Sequence, residues 1–262
     1  MSVHLDALAD EVFDAASAVG RGDGVSIRLP FGEVRRNPAY PDLFFLNGIS
    51  GLRAPDWTIR DVEQAVVAHL AGIRIVRITS RDPDTIARLG PQLLDAGYEA
   101  ECRVAMVHVA SREVARAAAV ATSLVEAAAD WQAFEQSIRY DAAEHHWRDG
   151  MARQLVELYR AQGANPSQSW LLARAAGEVL GHVGLYQHAT VGYLHALFVR
   201  GAARRRGIGS ALVAEAGRRA RAIGCARLTL QCTRDSFLPV YYHALGFRSV
   251  GEIWIWTKAR QP

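Results

Sequence analysis

One pattern of stops occurs twice in this chain and constrains its fold more than anything else. Gly72 ends an amphipathic stretch, Ile73–Thr79 alternates like a strand, Asp84–Ala96 has helical spacing, and Gly97-Tyr98 precedes the apolar run Arg103–Val109. Later, Gly224 ends a helical stretch, Ala226–Cys232 reads as a strand, Ser236–Ala244 as a helix, and Gly246-Phe247 precedes a last strand reaching Trp256. Glycine just past the last periodic residue is the usual helix stop, and this alternation predicts an α/β (α+β) chain built of two similar units. The paired glycines stand 25 and 22 positions apart, so the order recurs with loose spacing. Any αβαβ chain would give the same order, and the rhyme alone leaves that alternative open. The expected boundary lies near Ser111–Ala119, which sets units of 1–112 and 113–262.

Around this frame, a helix is expected over His4–Val19, with Leu5, Leu8, Val12 and Ala16 on one face and Gly20–Gly24 as its break. Strands are expected at Val25–Leu29 and Leu43–Leu46, then a helix from about Thr58 to Ala71 capped by Asp56 or Thr58. In the second half, Trp170–Arg174 and Val179–Tyr186 form a strand pair joined at Ala176-Gly177-Glu178. The Ala-rich stretch before them reads either as a helix or as a strand at Val120–Val125.

The chemistry concentrates in Leu194–Val199, Arg200–Arg206, Gly207-Ile208-Gly209-Ser210 and the helix expected from Gly209 to Ile223. A helix start leaves backbone N–H groups unpaired and carries partial positive charge. Glycines at i and i+2 let that backbone approach an anion, and Arg204, Arg205 and Arg206 add charge at the same point. The stretch reads as a pyrophosphate cradle. Arg/Gln-x-x-Gly-x-Gly alone is weak, arising by chance about once in 2,000 positions; its place between an apolar strand and an amphipathic helix strengthens it. It is not a Walker loop, which needs Gly-Lys-Ser/Thr, nor a dinucleotide fingerprint, because Leu212 stands at the third glycine.

Val199-x4-Arg204-x2-Gly207-Ile-Gly209-x2-Leu212 resembles the acetyl-CoA loop of the GNAT superfamily of N-acetyltransferases. Asp235-Ser-Phe-Leu-Pro-Val-Tyr241-Tyr242-His-Ala-Leu-Gly246-Phe247 is similar to that family's second signature, with Asp235 in place of the usual Asn. The resemblance covers about residues 115–262 and the first half in outline. It implies two GNAT-like units, each a mixed, mostly antiparallel sheet flanked by helices. It further implies that Arg204, Arg205, Arg206, Gly207, Ile208, Gly209 and Ser210 hold the pyrophosphate of acetyl-CoA. Leu197, Phe198 and Val199, on a strand splayed open beside the donor, would pair with its pantetheine and acetyl groups. Tyr242 would protonate the departing thiolate; the alternative is that Tyr242 packs in the core and Tyr241 beside it is the outward residue.

An amine acceptor must lose a proton, and His195, on the strand entering the loop, and Glu178, on the preceding hairpin with His182, are the candidate bases. His145-His146 with Glu144 has no matching metal-ligand spacing, so a solvated helix face and no metal are expected. The first half lacks the cradle: Asn47–Trp57 carries one Arg and no Gly-x-Gly, and Leu93 stands where Tyr242 would. It is expected to be a degenerate unit that walls the acceptor site or mediates a homodimer, with Asn37–Asn47 a candidate acceptor lining.

The net charge of +3, carried by Arg with Lys258 the only Lys, is too weak to announce a nucleic-acid partner. Cys102, Cys225 and Cys232 have no CxxC spacing, which argues against disulfides and a cysteine-rich metal site and fits a reducing compartment. No signal-like start or membrane-length apolar run is apparent, so a cytoplasmic protein is expected, its partner a small-molecule or peptide amine. The reading from another class is a non-catalytic acyl-CoA sensor or partner-binding protein.

Overall fold

The computed structural model describes residues 2–19, 24–109, 120–147 and 150–260. Its elements run α1 (Ser2–Val19), β1 (Val25–Leu29), β2 (Gly32–Arg36), β3 (Gly48–Ser50), α2 (Ile59–His69), β4 (Ile75–Ser80), α3 (Pro83–Asp95), β5 (Glu99–Val109) and β6 (Ala121–Leu124). They continue α4 (Ala128–Glu144), α5 (Met151–Gly163), β7 (Gln168–Ala175), β8 (Glu178–His188), β9 (Val191–Val199), α6 (Ile208–Ala222), β10 (Arg227–Thr233), α7 (Leu238–Ala244) and β11 (Arg248–Ala259). The expected boundary segment, and Gly20–Asp23 of the expected helix break, lie outside the described residues.

Two compact units divide the chain: Met1–Val19, Ala105–Cys232 and Phe237–Gly251 in one, Gly20–Val104, Thr233–Ser236 and Glu252–Pro262 in the other. Both termini therefore depart from a division at 112/113. Helix α1 joins the larger unit because Ala9, Val12 and Phe13 are its buried stripe, with Leu5 left exposed, and Glu11 pairs with Arg227 at 2.9 Å. The end of β11 joins the smaller unit because Trp256 is buried among Ile78, Leu89 and Leu93.

In the larger unit the strand order is β6-β7-β8-β9-β10-β5-β11, antiparallel from β6 to β9 and parallel between β9 and β10. The described end of the Ala-rich stretch, Ala121–Leu124, is strand β6, with α4 and α5 following it. Along α6, buried Ile208, Ala211, Leu212, Ala216 and Ala220 recur at helical spacing, with Arg218 outward on Glu215. The smaller unit orders β1-β2-β3-β4-β11-β5, with β3 and β4 parallel and Ile49, Val66, Leu70 and Ile78 in its core.

The strand expected at Leu43–Leu46 is instead a 3-10 turn at Phe44–Leu46. The cause is Asn47: its Oδ1 accepts the Asn37 amide at 2.7 Å and its Nδ2 donates to the carbonyls of Tyr40 and Leu43. Leu43, Leu46 and Asn47 are buried, which makes this segment a self-satisfied corner of the smaller unit. No helix among the described residues is long and apolar enough to cross a membrane.

Candidate active site

Strand β9 is where the larger sheet opens. Its parallel ladder to β10 runs from Val191/Arg227 to Leu194/Leu230 and stops there. On the other edge, Gly184 pairs with His195 but His182 pairs with Phe198, so two residues of β9 oppose Val183 alone. Ala196 takes φ 50° within this bulge. A bulge bends and twists its strand. Beyond the bulge Phe198 and Val199 stay paired with β8, while the ladder from β9 to β10 has already ended at Leu194.

Past Val199 the chain turns through Gly201–Ala203 and enters α6, whose N-cap is Gly207 at φ 76° with no side chain capping the helix. The first backbone bond of the helix runs from Ala211 N–H to Gly207. The amides of Ile208, Gly209 and Ser210 are thus left to the loop side. Arg205, at φ 60°, and Arg206 are exposed there with no ion-pair partner among the described residues. A Cβ on Gly209 would sit 2.9 Å from the Tyr241 hydroxyl, so glycine is what lets that hydroxyl approach the helix start.

The three arginines differ. Arg204 is turned back, its Nε donating to the Val199 carbonyl at 3.0 Å and its Nη2 to Glu144 Oε2 at 2.5 Å. Of the three, Arg205 and Arg206 are the ones without an ion-pair partner among the described residues.

Both tyrosines of α7 lie near the opening. Tyr241 is half-buried, its hydroxyl 3.4 Å from Ser210 Oγ. Tyr242 is 6% exposed and packs on Phe247 and Tyr241. Burial, with Tyr241, Cys232 and Tyr193 as electrostatic neighbours, raises its hydroxyl pKa well above the usual value. Cys232 stands two residues beyond the last β9–β10 pair, so Tyr242 sits where the strands part.

The two bases named from sequence fare differently from the loop. Glu178 is at the hairpin tip, its side chain 71% exposed and 3.4 Å from Arg200. An exposed, ion-paired carboxylate at that tip is not drawn into the strand opening. His195 does lie beside the bulge, but its Nε2 meets Gln168 Oε1 at 3.2 Å, a group that only accepts, so that nitrogen carries the proton. Burial lowers its pKa to about 3, a value too low for a proton acceptor at neutral pH. His182 is also held near 3, by burial and then by His195. Its Nδ1 is 2.8 Å from Ser137 Oγ, and its Nε2 and the Trp170 indole N–H are buried without a hydrogen-bond partner among the described residues.

Helix α4 supplies Ser137 and Asp141, which the sequence reading did not single out. Ser137, Asp141, Glu144 and His145 all come from it or its end. Asp141 Oδ1 meets His145 Nδ1 at 2.7 Å, while His145 and His146 both stay exposed, as on a solvated helix face. Burial lifts Asp141 to about 6 against the opposing pull of His145. The signal available in the sequence was Phe134, Ile138 and Asp141 at i, i+4 and i+7, an apolar stripe closed by an acid. Among the described residues no group of three or more His, Cys, Asp or Glu is placed to hold a metal.

In the smaller unit the helix start corresponding to α6 is filled. Asp61 Oδ2 accepts both the amide and the hydroxyl of Thr58, the Asp61 amide donates to the Thr58 carbonyl, and the Ile59 amide donates to Gln92 Oε1 at 3.1 Å. Leu93 is fully buried core.

Residues 131–247, which contain this strand opening and helix start, match the acetyltransferase (GNAT) family. The chain carries a GNAT-family domain. No curated protein matches the sequence significantly. Among solved structures, a functionally unknown conserved protein from Staphylococcus epidermidis is similar at TM-score 0.74 and 15% identity, over 91% of this chain and 95% of that one. A GCN5-related N-acetyltransferase from Kribbella flavida is similar at 0.63 and 14%, over 100% of this chain and 97% of the other. A third, from Sphaerobacter thermophilus, gives 0.58 and 18% over 78% and 67%. These likenesses show the fold, and the second extends it across the GNAT domain and the N-terminal half together. GNAT membership supports acyl transfer in general.

Proposed function

We propose that the GNAT domain transfers the acetyl group of acetyl-CoA to an amine by direct attack in a ternary complex. The observation that carries this reading is the free edge of β9, which leads straight into an uncapped helix start flanked by Arg205 and Arg206. The fit to a pyrophosphate thioester is chemical: bare amides and two free guanidiniums for the phosphates, and unpaired strand backbone for the amide-bearing arm.

In this reading, backbone groups of Leu197–Val199 align the arm, and the amides of Ile208, Gly209 and Ser210 take the pyrophosphate. Tyr242, kept protonated by burial, donates to the sulfur as the C–S bond breaks and the new C–N bond forms. The amine's proton leaves to solvent, since His195 and Glu178 are not set to receive it. The smaller unit holds no donor, because its helix start is occupied by Thr58, Asp61 and Gln92.

The test is thiol release from acetyl-CoA in the presence of an amine panel, comparing wild type with Tyr242→Phe. Amine-dependent release that slows about a hundredfold in the variant supports the reading. Release from no amine, or release indifferent to Tyr242, sinks it.

A further inference from the structure

The last turn of α4 grips the phosphate loop at three points. Glu144 Oε1 accepts the Gly201 amide at 2.7 Å, and Glu144 Oε2 accepts Arg204 Nη2 at 2.5 Å. One turn earlier, the Tyr140 ring lies 4.2 Å from the guanidinium carbon of Arg200. Arg204 closes the loop on itself through the Val199 carbonyl. Residues 199–204 are thereby fastened at both ends before α6 begins.

A carboxylate in that place is electrostatically adverse for a site that takes a polyanion. It lies beside the loop and neutralises Arg204, the residue expected from sequence to bind phosphate. We propose that Glu144 is a positioning residue. It clamps Gly201 and Arg204 so that Gly207 and the first amides of α6 are held ready for the phosphates, and Arg204 is part of the clamp rather than a phosphate ligand. The proposal rests on the acetyl-CoA reading above and adds to it a residue of α4, which donates nothing to the ligand.

The two roles for Arg204 predict opposite signs. Where Arg204 is a phosphate ligand that Glu144 merely competes for, Glu144→Gln frees it and acetyl-CoA binds more tightly. Where Glu144 is a clamp, Glu144→Gln weakens binding although a negative charge has been removed.

The experiment is calorimetric titration with acetyl-CoA of wild type, Glu144→Gln, Arg204→Gln and the double variant, at two salt concentrations. Amide hydrogen exchange over residues 201–207 is measured without ligand. The clamp predicts that each single variant binds about tenfold more weakly, and that the double is no weaker than either single, because the two residues act as one unit. It predicts wild-type salt dependence in all three variants and faster exchange in the loop. Equal or tighter binding by Glu144→Gln overturns the proposal, as do additive losses or unchanged exchange. Wild type failing to bind acetyl-CoA, with exchange faster in Glu144→Gln, refutes the donor reading while leaving the clamp itself intact.

Discussion

Gly181→Ala adds one methyl group where β8 meets β9, and the structure fixes both its cost and its reach. A Cβ at Gly181 would lie 2.2 Å from the Phe198 carbonyl oxygen and 3.1 Å from Val199 Cα, both backbone atoms that no rotamer change can move. Restoring an ordinary carbon–oxygen separation of about 3.3 Å requires the end of β9 to shift by roughly 1 Å. Overpacking of this kind costs about 1–3 kcal/mol. A 1 Å displacement of Phe198 and Val199, the strand proposed to align the donor, should weaken catalysis by up to about a hundredfold. Urea denaturation reads the first effect, and calorimetry with turnover reads the second. Gly177→Ala is the control. Its φ of 82° costs about 1–2 kcal/mol, but its Cβ meets nothing within 4 Å, so binding stays at the wild-type level. Gly→Ala in unstrained backbone with room to spare has the opposite sign and stabilises by about 0.4–1 kcal/mol. A Gly181→Ala variant that is more stable than wild type and binds acetyl-CoA normally would refute the proposed geometry of this strand pair.

Tyr242→Phe should lower kcat about a hundredfold and leave acetyl-CoA affinity within twofold, read by steady-state rates and calorimetry; an unchanged kcat transfers the role elsewhere, with Tyr241→Phe the next variant. Asp141→Asn tests the buried carboxyl. A folded pKa of about 6 lies above the unfolded value near 3.8, so wild type has this stability below pH 4 and loses it as pH rises through 6. Relative to wild type, the Asn variant should therefore gain up to about 3 kcal/mol between pH 4 and pH 8 in urea titrations, whereas a pH-independent difference counts against the assignment. Arg205→Gln with Arg206→Gln should weaken acetyl-CoA binding and flatten its salt dependence, since exposed charges are screened. Salt dependence as steep as wild type would show that these side chains do not face the phosphates.

Much of the frame could be read from local chemistry. Gly72, Gly97, Gly224 and Gly246 stop elements where expected and all take positive φ, a requirement a single residue type reveals. The succession of strand, glycine-bearing loop and helix at β9 and α6 was equally legible, because Gly207, Gly209 and an apolar strand sit side by side in the chain. What stayed hidden depends on residues brought together from afar. Arg204 reads as a phosphate ligand until α4, 60 residues earlier, sets Glu144 against it. The bulge at Ala196 leaves no mark, since alanine is an ordinary strand residue and the positive φ is imposed by the register with β8. His195 looks like a base on its strand, and only Gln168 and Trp170 from β7 show it to be a neutral, hydrogen-bonded wall. The packing of α1 and of the end of β11 is hidden for the same reason, since both find their partners far away in the sequence.

The most direct test of the central claim is calorimetric titration of the wild-type chain with acetyl-CoA. Micromolar binding at one site per chain, lost in the Arg205→Gln/Arg206→Gln variant, is the predicted result. Two sites per chain would contradict the closed helix start of the smaller unit. No binding would contradict the acetyl-CoA site itself.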